Sequence, residues 1–145
     1  MRELDFEGEF DAVIAWGGSF GYFSDAENLD VLRRFARALK PGGCVLIDQL
    51  NRENILRHFR STMRAGDVTL STKWRRRTER VETTWTMTRH GRMACCRSTI
   101  RLHTPGQLRR LFSNAGLEIE AMYGNLDGSE YSRGSRRIYI VGLKI

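Results

Sequence analysis

Three stretches of this chain carry the residue types that could meet a ligand, and none is a familiar catalytic constellation. Trp16-Gly17-Gly18 closes an apolar run and leads into Phe20 and Tyr22. Asp48 and Asn51 close a second run, and Tyr123, Asn125, Asp127, Tyr131 and Ser132 punctuate a polar segment near the C-terminus. Glycines without a Cβ let a bound molecule come close to the backbone. No nucleophile with an adjacent base is visible, so no general base is assigned. His58, His90 and His103 lack ligand spacing, and Cys44, Cys95 and Cys96 include no C-x-x-C pair. Cys95 and Cys96 are neighbours on an expected strand and point to opposite faces, which argues against a vicinal disulfide. All three cysteines are expected as reduced thiols of a cytoplasmic protein.

The first two stretches are brought together by a strand, helix, strand unit. Phe10 to Trp16 is apolar apart from Asp11, the pattern of a strand buried on both faces of a parallel sheet. From Asp25 the apolar period becomes 3.6, with Leu29, Leu32, Phe35, Ala36 and Leu39 on one face. Ser24 or Asp25 caps this helix, and Pro41-Gly42-Gly43 ends it. Cys44 to Leu50 is then a second buried strand. A unit of this length crosses over right-handed, so the two strands run parallel. Trp16 to Gly18 and Asp48 to Asn51 then open on one rim, where open α/β sheets bind ligands.

Arg52 to Met63 reads as a short helix capped by Asn51, with Ile55, Leu56 and Phe59 inward. Val68 to Arg75, Arg80 to Arg89 and Arg92 to His103 alternate polar and apolar residues, which predicts three antiparallel strands with a turn at Gly91. Val81, Thr83, Trp85 and Met87 share one face of the middle strand. Thr104-Pro105 opens a last helix with Leu108, Leu111, Phe112 and Ala115 as its stripe and Gly116 at its end. Leu117 to Tyr123 and Arg137 to Lys144 are closing strands joined by the loop 124–136.

The net charge of +7 is unevenly placed: 15 of 24 basic side chains lie between Arg52 and Arg110, against four acids there. A basic stretch invites a nucleic-acid reading. Arginine outnumbers lysine 21 to 3, however, which suggests coding bias. No RNP, zinc-finger or KH-type signature accompanies the patch.

FDAV, the SFGYF loop, and LKPGG before a strand ending ID..N resemble the second half of a class I S-adenosylmethionine-dependent methyltransferase. RLHTPGQLRRLFSNAGLEIEAMYGNLDGSEYS and SRRIYIVGLK resemble that family's last helix and final two strands. The resemblance implies an α/β fold: the C-terminal half of a Rossmann-like methyltransferase sheet, with parallel strands, one antiparallel closing strand slotted between neighbours, and an inserted three-stranded antiparallel sheet. Residues 1–51 and 104–145 would form the partial Rossmann-like domain. Residues 52–103 would form the insertion, covering the substrate or making a dimer contact, unless Trp74, Trp85 and Met87 simply pack onto the main domain.

The implied cofactor is S-adenosyl-L-methionine and the implied partner a small-molecule methyl acceptor. Trp16, Gly17, Gly18 and Phe20 would contact the cofactor, the backbone of 16–18 flanking its methionine end. Tyr22, Asn51, Tyr123 and Tyr131 would contact the acceptor, with Phe20 and Tyr22 walling the place where methyl and acceptor meet. Asp48 and Asn51 would orient an amine or hydroxyl, or only cap the next helix. Methyl transfer from a sulfonium is an in-line displacement with a good leaving group, so it mainly asks the protein for alignment in a site closed to water.

The family builds most of its cofactor pocket from its first three strands, with a glycine-rich loop, an acid for the ribose hydroxyls and an acid near the adenine. None of these is in the sequence, so the chain is expected to be an N-terminally truncated form that binds cofactor poorly. Loss of those strands would strip the neighbour from Phe10 to Trp16, and a homo-oligomer through that apolar edge or through the inserted sheet is expected. The alternatives are a non-catalytic partner subunit of a split methyltransferase and a basic nucleic-acid-binding module. No apolar run approaches 18 residues and no leader pattern is present, so neither a membrane span nor a secretory signal is expected.

Overall fold

The apolar run after Glu9 becomes a strand, β1 (Phe10–Ala15), and the 3.6-period segment a helix, α1 (Asp25–Ala38), in a computed structural model that describes residues 1–145. Ser24 caps α1: its hydroxyl accepts from the Glu27 amide while the Glu27 carboxylate accepts from the Ser24 amide. The next strand, β2 (Leu39–Leu50), lies parallel to β1, as the crossover argument requires. Pro41-Gly42-Gly43 is absorbed into β2 as a bulge and does not separate helix from strand. The register passes from Phe10 opposite Leu39 to Ala12 opposite Cys44, and regular pairing runs from Cys44 onward.

The remaining elements are α2 (Arg52–Arg57), β3 (Thr62–Ala65), β4 (Val68–Arg75), β5 (Arg80–Arg89), β6 (Arg92–Arg101), α3 (Pro105–Asn114), β7 (Leu117–Tyr123) and β8 (Arg137–Lys144). They complete two four-stranded sheets, β1-β2-β8-β7 and β3-β4-β5-β6. In the first, β8 is antiparallel to both neighbours and sits between β2 and β7, leaving β7 parallel to β2. The second sheet is wholly antiparallel and has four strands where the alternation predicted three. The expected helix to Met63 stops at Arg57. Thr62 to Ala65 pairs instead with Val68 to Ser71 across the two-residue turn Gly66-Asp67. The β5–β6 turn is His90-Gly91, both at positive φ, as a two-residue hairpin of this kind demands.

Both longer helices pack on one face of the first sheet. Val31, Leu32 and Phe35 of α1 and Leu108 and Phe112 of α3 meet Val45, Ile47, Ile138 and Ile140 in one core. Gly142 on β8 is what lets α3 come this close: a Cβ there would stand 2.5 Å from the Phe112 ring. The other face carries a cross-strand row, Ile14, Leu46, Val141 and Ala121, and Ile14 is 61% exposed. The double-sided burial expected for β1 is therefore absent: β1 is an edge strand, and only Ala15 in it is fully buried. No helix is long and apolar enough to cross a membrane.

The two sheets are joined by a half-buried cluster around Glu79, in the β4–β5 turn. Its carboxylate accepts from Arg52 Nη1 at 2.6 Å, Arg101 Nη1 at 2.5 Å and Gln107 Nε2 at 2.8 Å. Gln107 is also the third residue of α3, where its Oε1 accepts from the Thr104 amide in a capping box. Arg101 reaches on to Asp25 of α1 at 3.2 Å, and its backbone amide donates to the Gly21 carbonyl at 2.8 Å. Beside it, Gln49 Nε2 donates to the Arg101 carbonyl and to His103 Nδ1, which places the imidazole hydrogen on Nε2.

Burial raises the Glu79 carboxyl, but the donors from Gln107, Arg101 and Arg52 outweigh it and hold the group at about 2 against an ordinary 4.5. Burial, reinforced by the Arg101 charge, lowers His103 from 6.5 to about 4. Both shifts have the same consequence, since each group takes up protons more readily in the unfolded chain. The His103 contribution is complete above pH 6.5 and is lost on acidification toward 4; that of Glu79 is complete above 4.5 and is lost toward 2. Urea midpoints should fall in two stages over these windows. His103→Gln should flatten the upper stage and Glu79→Gln the lower.

Candidate active site

The rim is built where β1 and β2 end together. Gly17 and Gly18 both take left-handed backbone angles, φ +69° and +72°, which turn the chain sharply away from the sheet and strongly favour glycine. Asp48, at the end of β2 and almost wholly buried, ties this turn down: its Oδ2 accepts from the Gly17 amide at 2.9 Å. Its Oδ1 accepts from Arg137 Nε of β8, the residue paired with Leu50. A Cβ built on Gly17 would meet nothing within 4 Å, so the backbone there is open to a ligand.

The second sheet and α2 stand over this rim and border a half-open cavity of about 310 Å³. Its floor is Gly17, Gly18, Leu50 and Arg137; α2 and the turn after it supply Ile55, His58 and Phe59. The roof is one face of the antiparallel sheet, where the cross-strand rows Leu70–Trp85, Thr72–Thr83–Ser98 and Val81–Ile100 all turn inward. This is the face that Val81, Thr83 and Trp85 mark by alternation. His58 Nδ1 lies 3.0 Å from the Asn54 carbonyl, which can only accept, so Nδ1 is the donor, and Nε2 makes no hydrogen bond.

The residues singled out on the sequence scatter across this arrangement. Gly17, Gly18 and Tyr22 line the cavity. Trp16 does not: it is 49% exposed and packs on Tyr139 with ring centroids 5.7 Å apart. Phe20, expected at the cofactor and beside the acceptor, is 1% exposed and belongs to the core, its ring 6.1 Å from that of His103.

Asn51 is wholly occupied with structure. Its Oδ1 caps α2 through the Glu53 amide and accepts from the Tyr131 hydroxyl at 3.0 Å, while Nδ2 donates to the carbonyls of Ser132, Arg133 and Ser135. Burial raises the Tyr131 hydroxyl and keeps it the neutral donor in that bond. Tyr123 ends β7 opposite Tyr139 and bridges Glu130. Asn51, Tyr123 and Tyr131 thus shape the loop 124–136 and stand outside the cavity wall. The residues missed on the sequence are Arg137, His58 and the wall formed by Ile55, Phe59 and Met63. The second arginine of the pair Arg136-Arg137, which heads the apolar strand RIYIVG, was the available signal for the first.

Comparison with known proteins places this fold. No family model matches the chain. The methyltransferase CcbJ from Streptomyces caelestis superposes with a TM-score of 0.85 at 18% identity, over 97% of this chain and 60% of that one. An S-adenosylmethionine-dependent methyltransferase from Clostridium acetobutylicum superposes with a TM-score of 0.82 at 11% identity, over 98% and 61% respectively. A glycine/sarcosine N-methyltransferase from Halorhodospira halochloris is 38% identical over 55 residues, which is 37% of this chain and 20% of that protein. The fold is therefore the Rossmann-like α/β fold of S-adenosylmethionine-dependent methyltransferases, and the chain spans about three fifths of the solved structures it matches.

Asn51→Ala should remove a helix cap worth about 1 kcal/mol and free the loop it holds. Amide hydrogen exchange in residues 124–136 should then accelerate by roughly tenfold or more, while Tyr131→Phe, which leaves the three carbonyl bonds intact, should change it little.

Proposed function

We propose that this chain is the acceptor-side portion of an S-adenosyl-L-methionine-dependent methyltransferase that acts on a small molecule. Residues 1–51 and 104–145 form the partial nucleotide-type domain, and residues 52–103 form the cover over the acceptor. The observation that carries this is the largely apolar, half-open chamber between the ends of two parallel strands and the added sheet. The matching fold and the short sequence likeness to an N-methyltransferase support the same reaction class.

The residues present fit one edge of the cofactor. Gly17 and Gly18 allow backbone approach where its methionine end would lie, but the Gly17 amide is already used by Asp48. When bound, S-adenosyl-L-methionine supplies an electrophilic methyl on a sulfonium centre. This chain's contribution is to hold the acceptor against Trp85, Phe59 and Tyr22 and to keep water from it. His58 lines the chamber with Nε2 unengaged and can hydrogen-bond an acceptor there.

Nitrogen-15 correlation spectra recorded during titration with S-adenosylhomocysteine test the cofactor edge. The Gly17 and Gly18 amides should shift at millimolar ligand, with Phe20 unmoved. No response at either glycine would overturn the assignment, and submicromolar binding would overturn its restriction to one edge.

The edge of β1 favours association with a second copy. Phe10 and Ile14 are exposed on a strand with a free hydrogen-bonding edge, and the row through Ile14 and Leu46 stands open beside it. The three cysteines are free thiols, which suits a reducing, cytoplasmic compartment. Light scattering should give the mass of at least two chains, and Ile14→Lys should lower it; a monomer for the unaltered chain would refute the edge contact.

A further inference from the structure

The chamber wall is apolar apart from hydroxyls and three basic side chains, Arg60, Arg137 and His58, and neither aspartate nor glutamate lines it. Arg137 makes one side-chain hydrogen bond, from Nε to Asp48. Its Nη2 is buried without a partner and would lie 3.5 Å from a Cβ on Gly18. The remaining edge of the fork belongs to a side chain that is 29% exposed. An unpaired buried donor is costly, and a guanidinium fork has the geometry of a carboxylate. Asp48 pairs with the guanidinium only through Nε and from outside the lining, so an ammonium in the chamber would meet the guanidinium with no acid beside it; a carboxylate would pair with the donors that Asp48 does not use.

We propose that Arg137, beside Gly18, forms a carboxylate-binding subsite at the rim end of the apolar chamber, so that the chamber takes a carboxylate carried on an apolar body. The subsite stands on Arg137 itself, and only the identity of its ligand rests on reading the chamber as the acceptor site. Two molecules could bring the carboxylate: an acidic acceptor, or the cofactor through its amino-acid end. The volume of about 310 Å³ and the Trp85 and Phe59 walls suit a body larger than a bare amino acid such as glycine.

Calorimetry on the 145-residue chain with three molecules that share one body tests this: 3-phenylpropionate, 3-phenylpropan-1-ol and 3-phenylpropylamine. The acid should bind at least roughly tenfold tighter than the alcohol, and the amine more weakly than either. Arg137→Met should bring the acid down to the alcohol while the alcohol is unchanged. Because that change strands Asp48, the pair Asp48→Asn with Arg137→Met supplies a neutral rim with the same expectation. Arg137→Lys, which keeps charge but loses the fork, should retain part of the preference.

Competition with S-adenosylhomocysteine identifies the source. Displacement of the acid assigns the carboxylate to the cofactor's amino-acid end, and simultaneous binding assigns it to the acceptor. Equal affinity of acid and alcohol, or an acid preference that survives in both methionine variants, overturns the subsite even where Gly17 and Gly18 respond to the cofactor product. Silence at those glycines with the acid preference intact overturns the cofactor edge and leaves the subsite standing.

Discussion

The spacing between the two sheets is set by one carboxylate, and the chamber exists only while that spacing holds. Glu79 draws a donor from α2, one from β6 and one from α3 onto a single half-buried group. Such a cluster adds little net stability over an apolar replacement, but losing one partner leaves the others charged and buried, so it specifies geometry strongly. Arg101 extends the cluster into the first sheet's layer through Asp25 and the Gly21 carbonyl. The antiparallel sheet therefore cannot slide across the rim, and the rows behind Trp85 and Ile100 stay aimed at Gly17 and Gly18.

A smaller cluster performs the same service within the rim. Asp48 holds the Gly17 amide and the Arg137 guanidinium together, so a turn on β1 and the head of β8 are fixed by a residue of β2. Asp48 pairs with Arg137 from outside the cavity lining, so the wall itself presents basic groups and no acid. A cavity with that balance favours the neutral form of a bound amine and the ionised form of a bound acid. Neutral amine nitrogen and ionised oxygen are the nucleophilic states for alkylation, so the electrostatics and the proposed chemistry agree.

How much of this was legible in the chain varies with the range of the interaction. The β1–α1–β2 unit, the capped start of α3 and the bounds of β7 and β8 were legible because period, cap and turn residues are local signals. The fourth strand of the insertion was not, since Thr62 to Ala65 follows a helical pattern without a break and becomes a strand only by pairing across Gly66-Asp67. Asn51 and Tyr131 were legible as rim residues but not as partners: their hydrogen bond joins positions 80 residues apart and consumes both side chains. Phe20 sits in the same loop as Tyr22, and only the packing of α1 against β2 decides that one ring turns into the core and the other toward the cavity.

By itself the sequence determined most of the strands and helices, though not the strand Thr62 to Ala65, and that β1 and β2 run parallel and where their ends meet, because backbone stereochemistry and handed crossovers need no distant partner. Tertiary structure alone decided which face of the added sheet closes over the rim and that Arg137 Nη2 is left without a partner. Those outcomes depend on contacts such as Glu79 with Gln107 and Asp48 with Arg137. They join residues 28 and 89 positions apart, and no local pattern records which distant group will be near enough to neutralise a charge.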